Sequence, residues 1–425
     1  MAQTDEIEVI TFGCRLNTFE SEVIRRHAGA AALKDAVIVH TCAVTAEAER
    51  QARQTIRRLR RERPSARIIV TGCSVQVSSG AYAAMAEVDH VVGNAEKLKP
   101  ETWRELASAT DTAPRIRVGD IMTVGETAHH LVDGLDGRTR AFLQVQQGCD
   151  HRCTFCIIPY GRGPSRSVPL PVIAEQARTL VAAGYREIVV TGVDITSYGK
   201  DLPGQPTLGA MLKGLLEEVP ELSRLRLSSI DPAEIDDDLR DLVAEEPRLM
   251  PHLHLSVQAG DDLVLKRMKR RHLRRHVLEV TADLRRLRPD IVFGADLIAG
   301  FPTEDEAMFR NTLDLVDEAG LTFLHVFPYS ARVGTPAARM PQVPKEVRKQ
   351  RAARLREKGE AALDRFLRAQ LGQRRRALME RHDTGHTDHF APVRLAAGSP
   401  PLPAGTIAEL TLEAVADGVL LGRPA

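Results

Sequence analysis

The stretch RAFLQVQQGCDHRCTFCIIP, residues 140–159, joins a candidate strand to a compact group of cysteines. Its first residues have the apolar character of a buried strand, and Cys149, Cys153 and Cys156 follow with C-x3-C-x2-C spacing. Three thiolates on one loop bind three irons of a [4Fe-4S] cluster and leave the fourth iron open, whereas a zinc site usually takes four side chains. We therefore predict a reactive iron–sulfur site here, with His151 facing solvent or the surroundings of the cluster.

Strand and helix patterns alternate along the chain after this stretch. Further candidate strands separated by helical segments are residues 187–193, 224–230, 252–258, 291–302 and 323–330. A single run of about six β/α units predicts a full or partial barrel of parallel strands.

The chain before this stretch has the same alternation on a smaller scale. Short apolar runs at residues 7–12, 36–41, 66–72 and 88–94 are separated by helical patterns. Such alternation predicts an open, Rossmann-like α/β sheet. Residues 105–137 lack clear periodicity, so we expect a linker there.

The C-terminal part changes pattern twice. Residues 344–371 are basic with helical character, and short alternating runs with Gly and Pro turns follow. These runs predict a small β-barrel. The fold class is therefore α/β with a small C-terminal barrel, and the predicted domains are residues 1–125, 135–368 and 370–425.

Three more cysteines share one kind of position in the N-terminal domain. Cys14, Cys42 and Cys73 each come directly after a candidate strand. The carboxyl ends of parallel strands lie at one edge of a sheet, so these thiols are expected to converge. We predict a metal or redox site, the alternative being three buried structural cysteines.

Composition bounds the class of protein. The chain is 43% hydrophobic and 27% charged with a net charge of +1, which is typical of a globular protein. No apolar run approaches the roughly 20 residues that span a bilayer, and the N-terminus does not resemble a secretory signal, so we expect a cytoplasmic protein without a membrane partner. Reducing compartments favour thiols as metal ligands.

Basic stretches at 53–63, 265–275 and 339–381 indicate nucleic-acid binding or solvated helix faces.

The cysteine spacing, with Phe155 before the last cysteine, resembles the radical S-adenosylmethionine (SAM) superfamily. Nearly the whole chain is similar to the methylthiotransferases of that superfamily, in motifs that include TFGCRLNTFESE, HTCAVTAEAERQ, VTGCSVQ, GCDHRCTFCIIPYGRGPSRS and HVFPYSARVGTPAARM. One departure is His40 in HTC, where the family more often has Asn, and we expect it to alter the surroundings of the cluster only. The tail is similar to the TRAM barrel, an RNA-binding module.

The resemblance implies two [4Fe-4S] clusters and SAM as cofactors. Cys149, Cys153 and Cys156 would hold the cluster that cleaves SAM to a 5′-deoxyadenosyl radical, and Cys14, Cys42 and Cys73 the cluster that delivers a methylated sulfur. The implied partners are tRNA, a one-electron reductant of the flavodoxin or ferredoxin kind and a sulfur source.

The resemblance also suggests SAM contacts at the ends of barrel strands. Asp194, next to Gly192, is placed to pair with the SAM ammonium group. Ser228 and Gln258 are placed to bond to ribose or carboxylate oxygens, and Gly300 to permit close backbone approach.

Two arginines after the cluster loop, Arg162 and Arg166, are expected to contact a carboxylate or a phosphate. For each of these predicted contacts the alternatives are capping, turn geometry and core packing.

Three substrates are known within the family that the chain resembles. The motifs RLSSIDP and HVFPYSARVGT resemble the group acting on threonylcarbamoyl-adenosine next to the tRNA anticodon. The alternatives are isopentenyl-adenosine in tRNA and an aspartate of a ribosomal protein. A non-catalytic iron–sulfur protein that binds RNA is a further alternative from another class.

Overall fold

The computed structural model describes residues 7–108, 114–125, 134 and 137–425. The N-terminal unit is a parallel sheet whose strands lie side by side in chain order: β1 (Glu8–Thr11), β2 (Ala36–Thr41), β3 (Arg67–Gly72), β4 (His90–Val92) and β5 (Ile116–Arg117). Its helices are α1 (Arg15–Ala30), α2 (Ala46–Glu62), α3 (Cys73–Val77), α4 (Ser79–Ala83) and α5 (Pro100–Ser108). Alternate residues of the central strands enter separate apolar clusters, because strand side chains point to opposite faces. The predicted open α/β sheet is confirmed.

Helix α2 contains most of the basic stretch 53–63. Thr45 Oγ1 accepts a hydrogen bond from the Ala48 amide at its N-terminus, 3.1 Å away. Its buried side chains are Ala52, Ile56 and Leu59, spaced by one helical turn. The arginines therefore lie on its other faces.

The expected linker at 105–137 is only partly correct. Residues up to Ser108 belong to α5, and the two-residue strand β5 pairs in parallel with β4. A strand this short leaves no periodic pattern in a sequence. The rest of the stretch lies in part outside the described residues.

The central unit carries nine strand segments. They are β6 (Arg140–Gln144), β7 (Gln146–Gln147), β8 (Arg166–Ser167), β9 (Glu187–Thr191), β10 (Arg224–Leu227), β11 (Ser229–Ile230), β12 (His252–Gln258), β13 (Val292–Ala299) and β14 (Leu321–Pro328). Parallel pairing gives the orders β6-β9-β10 and β11-β12-β13-β14, and only Ser228 separates β10 from β11. The run is therefore a partial barrel, as predicted.

Seven helices connect these strands and cover the barrel. They are α6 (Ile158–Arg162), α7 (Leu170–Ala182), α8 (Leu208–Glu218), α9 (Asp237–Glu245), α10 (Asp262–Arg267), α11 (Arg274–Leu287) and α12 (Glu306–Glu318). At the β6 edge, Phe19 and Val23 of α1 join the apolar core of the barrel. The N-terminal unit thus packs against the open side of the strand run.

One long helix leads to the C-terminal barrel. Helix α13 (Lys345–Ala369) buries Leu355 in the central core and Leu367 in the core of the small barrel. The barrel closes in the order β15-β16-β17-β19-β18, with strands β15 (Arg374–Met379), β16 (Thr384–Thr387), β17 (Pro392–Leu395), β18 (Ile407–Ala416) and β19 (Val419–Pro424). The predicted small barrel is confirmed. Within the described ranges, no helix has the length and apolar character needed to cross a membrane.

Candidate functional site

Cys14, Cys42 and Cys73 come together at the carboxyl edge of the N-terminal sheet. They follow β1, β2 and β3, with Cys42 and Cys73 buried and Cys14 exposed. Burial, together with the neighbouring Cys73 and Cys14, raises the pKa of the Cys42 thiol to about 12. The backbone at Gly72 has φ +106°, and a Cβ there would collide with the carbonyl oxygen of Thr41. Strand ends meet closely here because position 72 is a glycine.

A buried network of charges lies beneath these cysteines. Glu20 accepts two hydrogen bonds from Arg162, at 2.6 and 2.9 Å, and one from Lys97 at 2.8 Å. The side chains of Glu20 and Lys97 are fully buried. Burial alone would raise the pKa of Glu20, but Arg162 and Lys97 hold that pKa well below its usual value. The carboxylate is therefore ionised and paired.

His40 belongs to this network and does not reach toward the cysteines. Its Nδ1 lies 2.9 Å from Ser21 Oγ, and its Nε2 lies 2.9 Å from Lys97 Nζ. Burial and the positive charge of Lys97 hold the pKa of His40 well below its usual value. A neutral ring that accepts from Lys97 and donates to Ser21 satisfies both bonds.

Arg162 connects the network to the thiols. Its Nε donates to Cys73 Sγ over 3.1 Å, and its guanidinium also bonds to Asn17 and to Gln147 Oε1. A Cβ on the adjacent Gly161 would lie 3.2 Å from Cys73 Cβ. Helix α6, which follows the second group of cysteines, therefore packs directly on the first group.

Cys149, Cys153 and Cys156 line a separate cavity of about 170 Å³. Burial raises the pKa of Cys149, with Asp194 adding to the effect, and burial raises the pKa of Cys156 to about 11. A metal binds thiolates, so loading this site would release protons. At Gly148 φ is +70°, and a Cβ would collide with the Pro164 carbonyl oxygen.

Asp194 is held in this cavity by three side chains. It lies 2.9 Å from His151 Nε2 and accepts from Ser197 at 2.8 Å and Thr196 at 3.0 Å. Burial would raise the pKa of Asp194, but these hydrogen bonds lower it overall. His151, expected to face solvent or the cluster surroundings, lines the cavity beside this carboxylate.

Sequence reasoning missed two further charged residues of the cavity. Arg270 donates to Asp231 at 2.8 Å and lies 3.6 Å from Cys153 Sγ. Both side chains line the cavity and are largely buried. They lie in the motifs RLSSIDP and LKRMKRR, but a motif does not tell which side chains face a cavity.

Only some of the other residues predicted to contact SAM line this cavity. Phe155 and Gln258 line the cavity with Asp194, whereas Gly192, Ser228 and Gly300 are not among its lining residues. Ser229 lines it in place of Ser228, and the Gly300 amide donates to Glu304. Arg166 donates to the carbonyl oxygens of Val124, Pro164 and Arg162. Neither Arg166 nor Arg162 borders this cavity.

Comparison with known proteins agrees with this geometry. Residues 143–316 match the Radical SAM superfamily, and residues 6–93 match a family described as Uncharacterized protein family UPF0004. The threonylcarbamoyladenosine tRNA methylthiotransferase MtaB of Rickettsia prowazekii is 55% identical over 388 residues, 91% of this chain and 91% of that protein. The chain belongs to the MtaB family of radical SAM methylthiotransferases.

Two more distant proteins are also similar to this chain. A tRNA-2-methylthio-N(6)-dimethylallyladenosine synthase of Cereibacter sphaeroides is 36% identical over 370 residues, 84% of this chain and 83% of that protein. The solved structure of the radical SAM methyltransferase TsrM from Kitasatospora setae gives a TM-score of 0.58 at 16% identity, covering 79% of this chain and 75% of that chain. This last likeness concerns the fold alone.

Membership of the MtaB family implies SAM and a [4Fe-4S] cluster as cofactors. The residues of the 170 Å³ cavity fit that requirement. Three thiols face it from one loop, and the chain has no fourth cysteine beside them, so one iron would keep an open position. Carboxylates and Arg270 supply polar partners for a zwitterionic ligand.

Proposed function

We propose that this protein adds a methylthio group to C2 of N6-threonylcarbamoyladenosine at position 37 of tRNA, next to the anticodon, by radical SAM chemistry. The observation that carries the proposal is that α6 joins two groups of three cysteines, with Arg162 on Cys73 and the loop 149–156 just before it. Higher identity to the R. prowazekii enzyme than to the dimethylallyladenosine synthase supports the threonylcarbamoyl substrate.

Each cysteine group has its own part in this proposal. Cys149, Cys153 and Cys156 would hold one [4Fe-4S] cluster, and Cys14, Cys42 and Cys73 a second one. When bound, the clusters and SAM supply the radical that removes the C2 hydrogen and the methylated sulfur that replaces it. A one-electron reductant of the flavodoxin or ferredoxin kind and a sulfur source complete the reaction.

Side chains of the 149–156 cavity would bind and orient SAM. Asp194, fixed by His151, Thr196 and Ser197, would pair with the SAM ammonium group. Gln258 and Phe155 line the same space. Arg270 would hold Asp231 in place and stabilise negative charge at Cys153.

Arg162 contacts a carboxylate, the one on Glu20, and its proposed role follows from its further bond to a thiol. It is proposed to stabilise thiolate charge at Cys73 and to fix the distance between the two cysteine groups. A buried guanidinium that bonds Glu20 with both NH groups has little freedom to move.

The domain division belongs to the same proposal. Residues 1–125 would supply the sulfur-donating cluster, residues 135–368 the radical chemistry and residues 370–425 an RNA-binding barrel of the TRAM kind. Basic side chains of α13, which leads into that barrel, and of its first strand β15 would contact tRNA phosphates.

Mass spectrometry of tRNA nucleosides from a strain lacking the gene tests the substrate. We expect 2-methylthio-N6-threonylcarbamoyladenosine to disappear and its unmethylthiolated precursor to accumulate, with both reversed by the wild-type gene. Persistence of the methylthiolated nucleoside contradicts the proposal. Loss of the isopentenyl product, or of a ribosomal-protein modification, would point to the corresponding alternative.

Two triple variants test the division between the cysteine groups. After anaerobic reconstitution, wild-type enzyme should hold about eight irons per chain and each Cys→Ala triple variant about four. Changing Cys149, Cys153 and Cys156 should abolish SAM cleavage, whereas changing Cys14, Cys42 and Cys73 should preserve cleavage and abolish methylthiolation. Wild-type enzyme that binds iron and RNA without cleaving SAM would instead fit a non-catalytic protein.

A further inference from the structure

A second cavity, of about 590 Å³, lies where the three units meet. The N-terminal unit contributes Cys14 and Arg15, the central unit Arg140 and Arg226, and the C-terminal barrel Arg381 and Phe390. Cys14 is an exposed member of the proposed sulfur-donating group. The cavity therefore borders that group, and none of its lining residues lines the 149–156 cavity.

Positive charge dominates the walls. Five arginines line the cavity, with Glu380 as the one carboxylate among the described lining residues: Arg15, Arg138, Arg140, Arg226 and Arg381. Arg140 pairs with Glu380, and Arg226 Nε donates to Glu187 at 2.9 Å. Among the residues that the structure describes, Arg15, Arg138 and Arg381 form no ion pair. These three guanidiniums are therefore candidates to bind an anionic ligand.

Arg15 is the most constrained of these three. It lies at the first turn of α1 and is half-buried, and the carboxylates whose charges act on it are Asp296 and Glu187. Asp296 is already bonded to His254 and His325, at 3.0 and 3.2 Å. Within the described part of the chain Arg15 has no side-chain hydrogen-bond partner, so its guanidinium is left to bind water or an anionic ligand.

The ring of Phe390 holds two of the lining arginines in place. Phe390 has the guanidinium of Arg140 at 4.8 Å and that of Arg226 at 5.0 Å from its ring centroid. His386 stacks on the same ring at 4.7 Å. Guanidinium groups fixed by stacking and ion pairs lose little freedom when they bind an anion, so these donors are prearranged.

We propose that this cavity binds an anionic group of the tRNA substrate, with Arg15 as its main contact. The inference rests on the proposed function and extends it to substrate recognition beside Cys14. Arginine forms paired hydrogen bonds with both carboxylate and phosphate. The anion is either the carboxylate of the threonylcarbamoyl group or a backbone phosphate of a neighbouring nucleotide.

Equilibrium binding of two tRNAs to the reconstituted enzyme tests the site. One tRNA carries threonylcarbamoyl-adenosine at position 37 and the other unmodified adenosine, and both are titrated at several salt concentrations. Arg15→Gln should weaken binding about tenfold or more, the usual worth of a charge-assisted contact. Arg286→Gln, an exposed arginine on α11 outside the cavity, is the matched control and should bind as wild type does.

The two tRNAs separate the two anions. Weakening confined to the threonylcarbamoyl tRNA assigns the contact to the nucleoside carboxylate. Equal weakening for both, with the salt slope reduced by about one, assigns it to a phosphate. Unchanged binding of both tRNAs by Arg15→Gln overturns the proposal.

Two further measurements keep the result interpretable. SAM cleavage by Arg15→Gln should match wild type, because Arg15 does not border the 149–156 cavity. If Arg15→Gln does not fold, binding of the two tRNAs is measured with Arg381→Gln and interpreted by the same criteria. Arg381 is an exposed residue of the same cavity. Failure of the wild-type enzyme to methylthiolate the threonylcarbamoyl tRNA would refute the proposed function, and does so without reference to Arg15.

Discussion

The two cysteine groups are built in opposite ways. Cys149, Cys153 and Cys156 belong to one loop and border a cavity, whereas Cys14, Cys42 and Cys73 come from three strand ends above a buried network of charges. Loop ligands are brought together by local chain geometry. Strand-end ligands depend on packing between distant segments and on the Glu20 network that connects them to α6. The group at the strand ends, Cys14, Cys42 and Cys73, should therefore be far more sensitive to substitutions of residues other than its ligands.

A pair of glycine variants should break the two sites separately, and this is the largest effect we expect. Gly72→Ala places a Cβ against Thr41, and Gly148→Ala places one against Pro164, in both cases with positive φ. Each variant should lose about four of about eight irons after reconstitution. Only Gly148→Ala should also lose SAM cleavage.

Gly80→Ala is the control for the glycine pair, because nothing lies within 4 Å of a Cβ at that position. It should keep full iron content. Equal loss of SAM cleavage in Gly72→Ala and Gly148→Ala would show that the two sites do not form independently.

Glu20→Gln should sharpen the contrast in stability. Removing the carboxylate leaves Arg162 and Lys97 buried without their counter-charge, which costs about 3–5 kcal/mol. Urea unfolding followed by fluorescence of Trp103 measures it, since this is the chain's one tryptophan and is buried in the N-terminal unit. SAM binding at the 149–156 cavity should be unaffected.

Lower pH should reduce the loss of stability caused by Glu20→Gln. The pKa of Glu20 lies below its usual 4.5, so its contribution to stability is present above that value and is lost as pH falls below it. The difference between wild type and Glu20→Gln should therefore shrink on acidification. The exposed Glu101→Gln, in the same unit, should change stability by less than about 1 kcal/mol. An unchanged Trp103 transition in Glu20→Gln would mean that the network does not stabilise this unit.

Asp194→Asn should give the smallest effect and act on the loop site alone. Losing the carboxylate charge should weaken SAM binding about tenfold, measured by equilibrium binding to the reconstituted enzyme. Iron content and the Trp103 transition should match wild type. Asp314→Asn, exposed on α12, is the control. Iron loss in Asp194→Asn would instead indicate that this carboxylate supports the cluster loop.

Sequence patterns predicted the elements better than the contacts. The strand ends that carry Cys14, Cys42 and Cys73 were predictable because parallel strands present their carboxyl ends at one edge. The choice between Ser228 and Ser229 was not, because successive strand side chains point to opposite faces and one residue decides which faces the cavity. The short strand β5 was missed because two residues carry no period.

Spacing and strand position within the sequence determined the two cysteine groups and the order of the three units, since both follow from local patterns. Tertiary structure alone decided that Arg162 bonds to Cys73 and that Arg15, Arg140, Arg226 and Arg381 surround one cavity. These residues come from distant segments, and only the packing of the three units brings their charges together. Burial then sets how strongly those charges act, because a guanidinium removed from water needs an anionic partner.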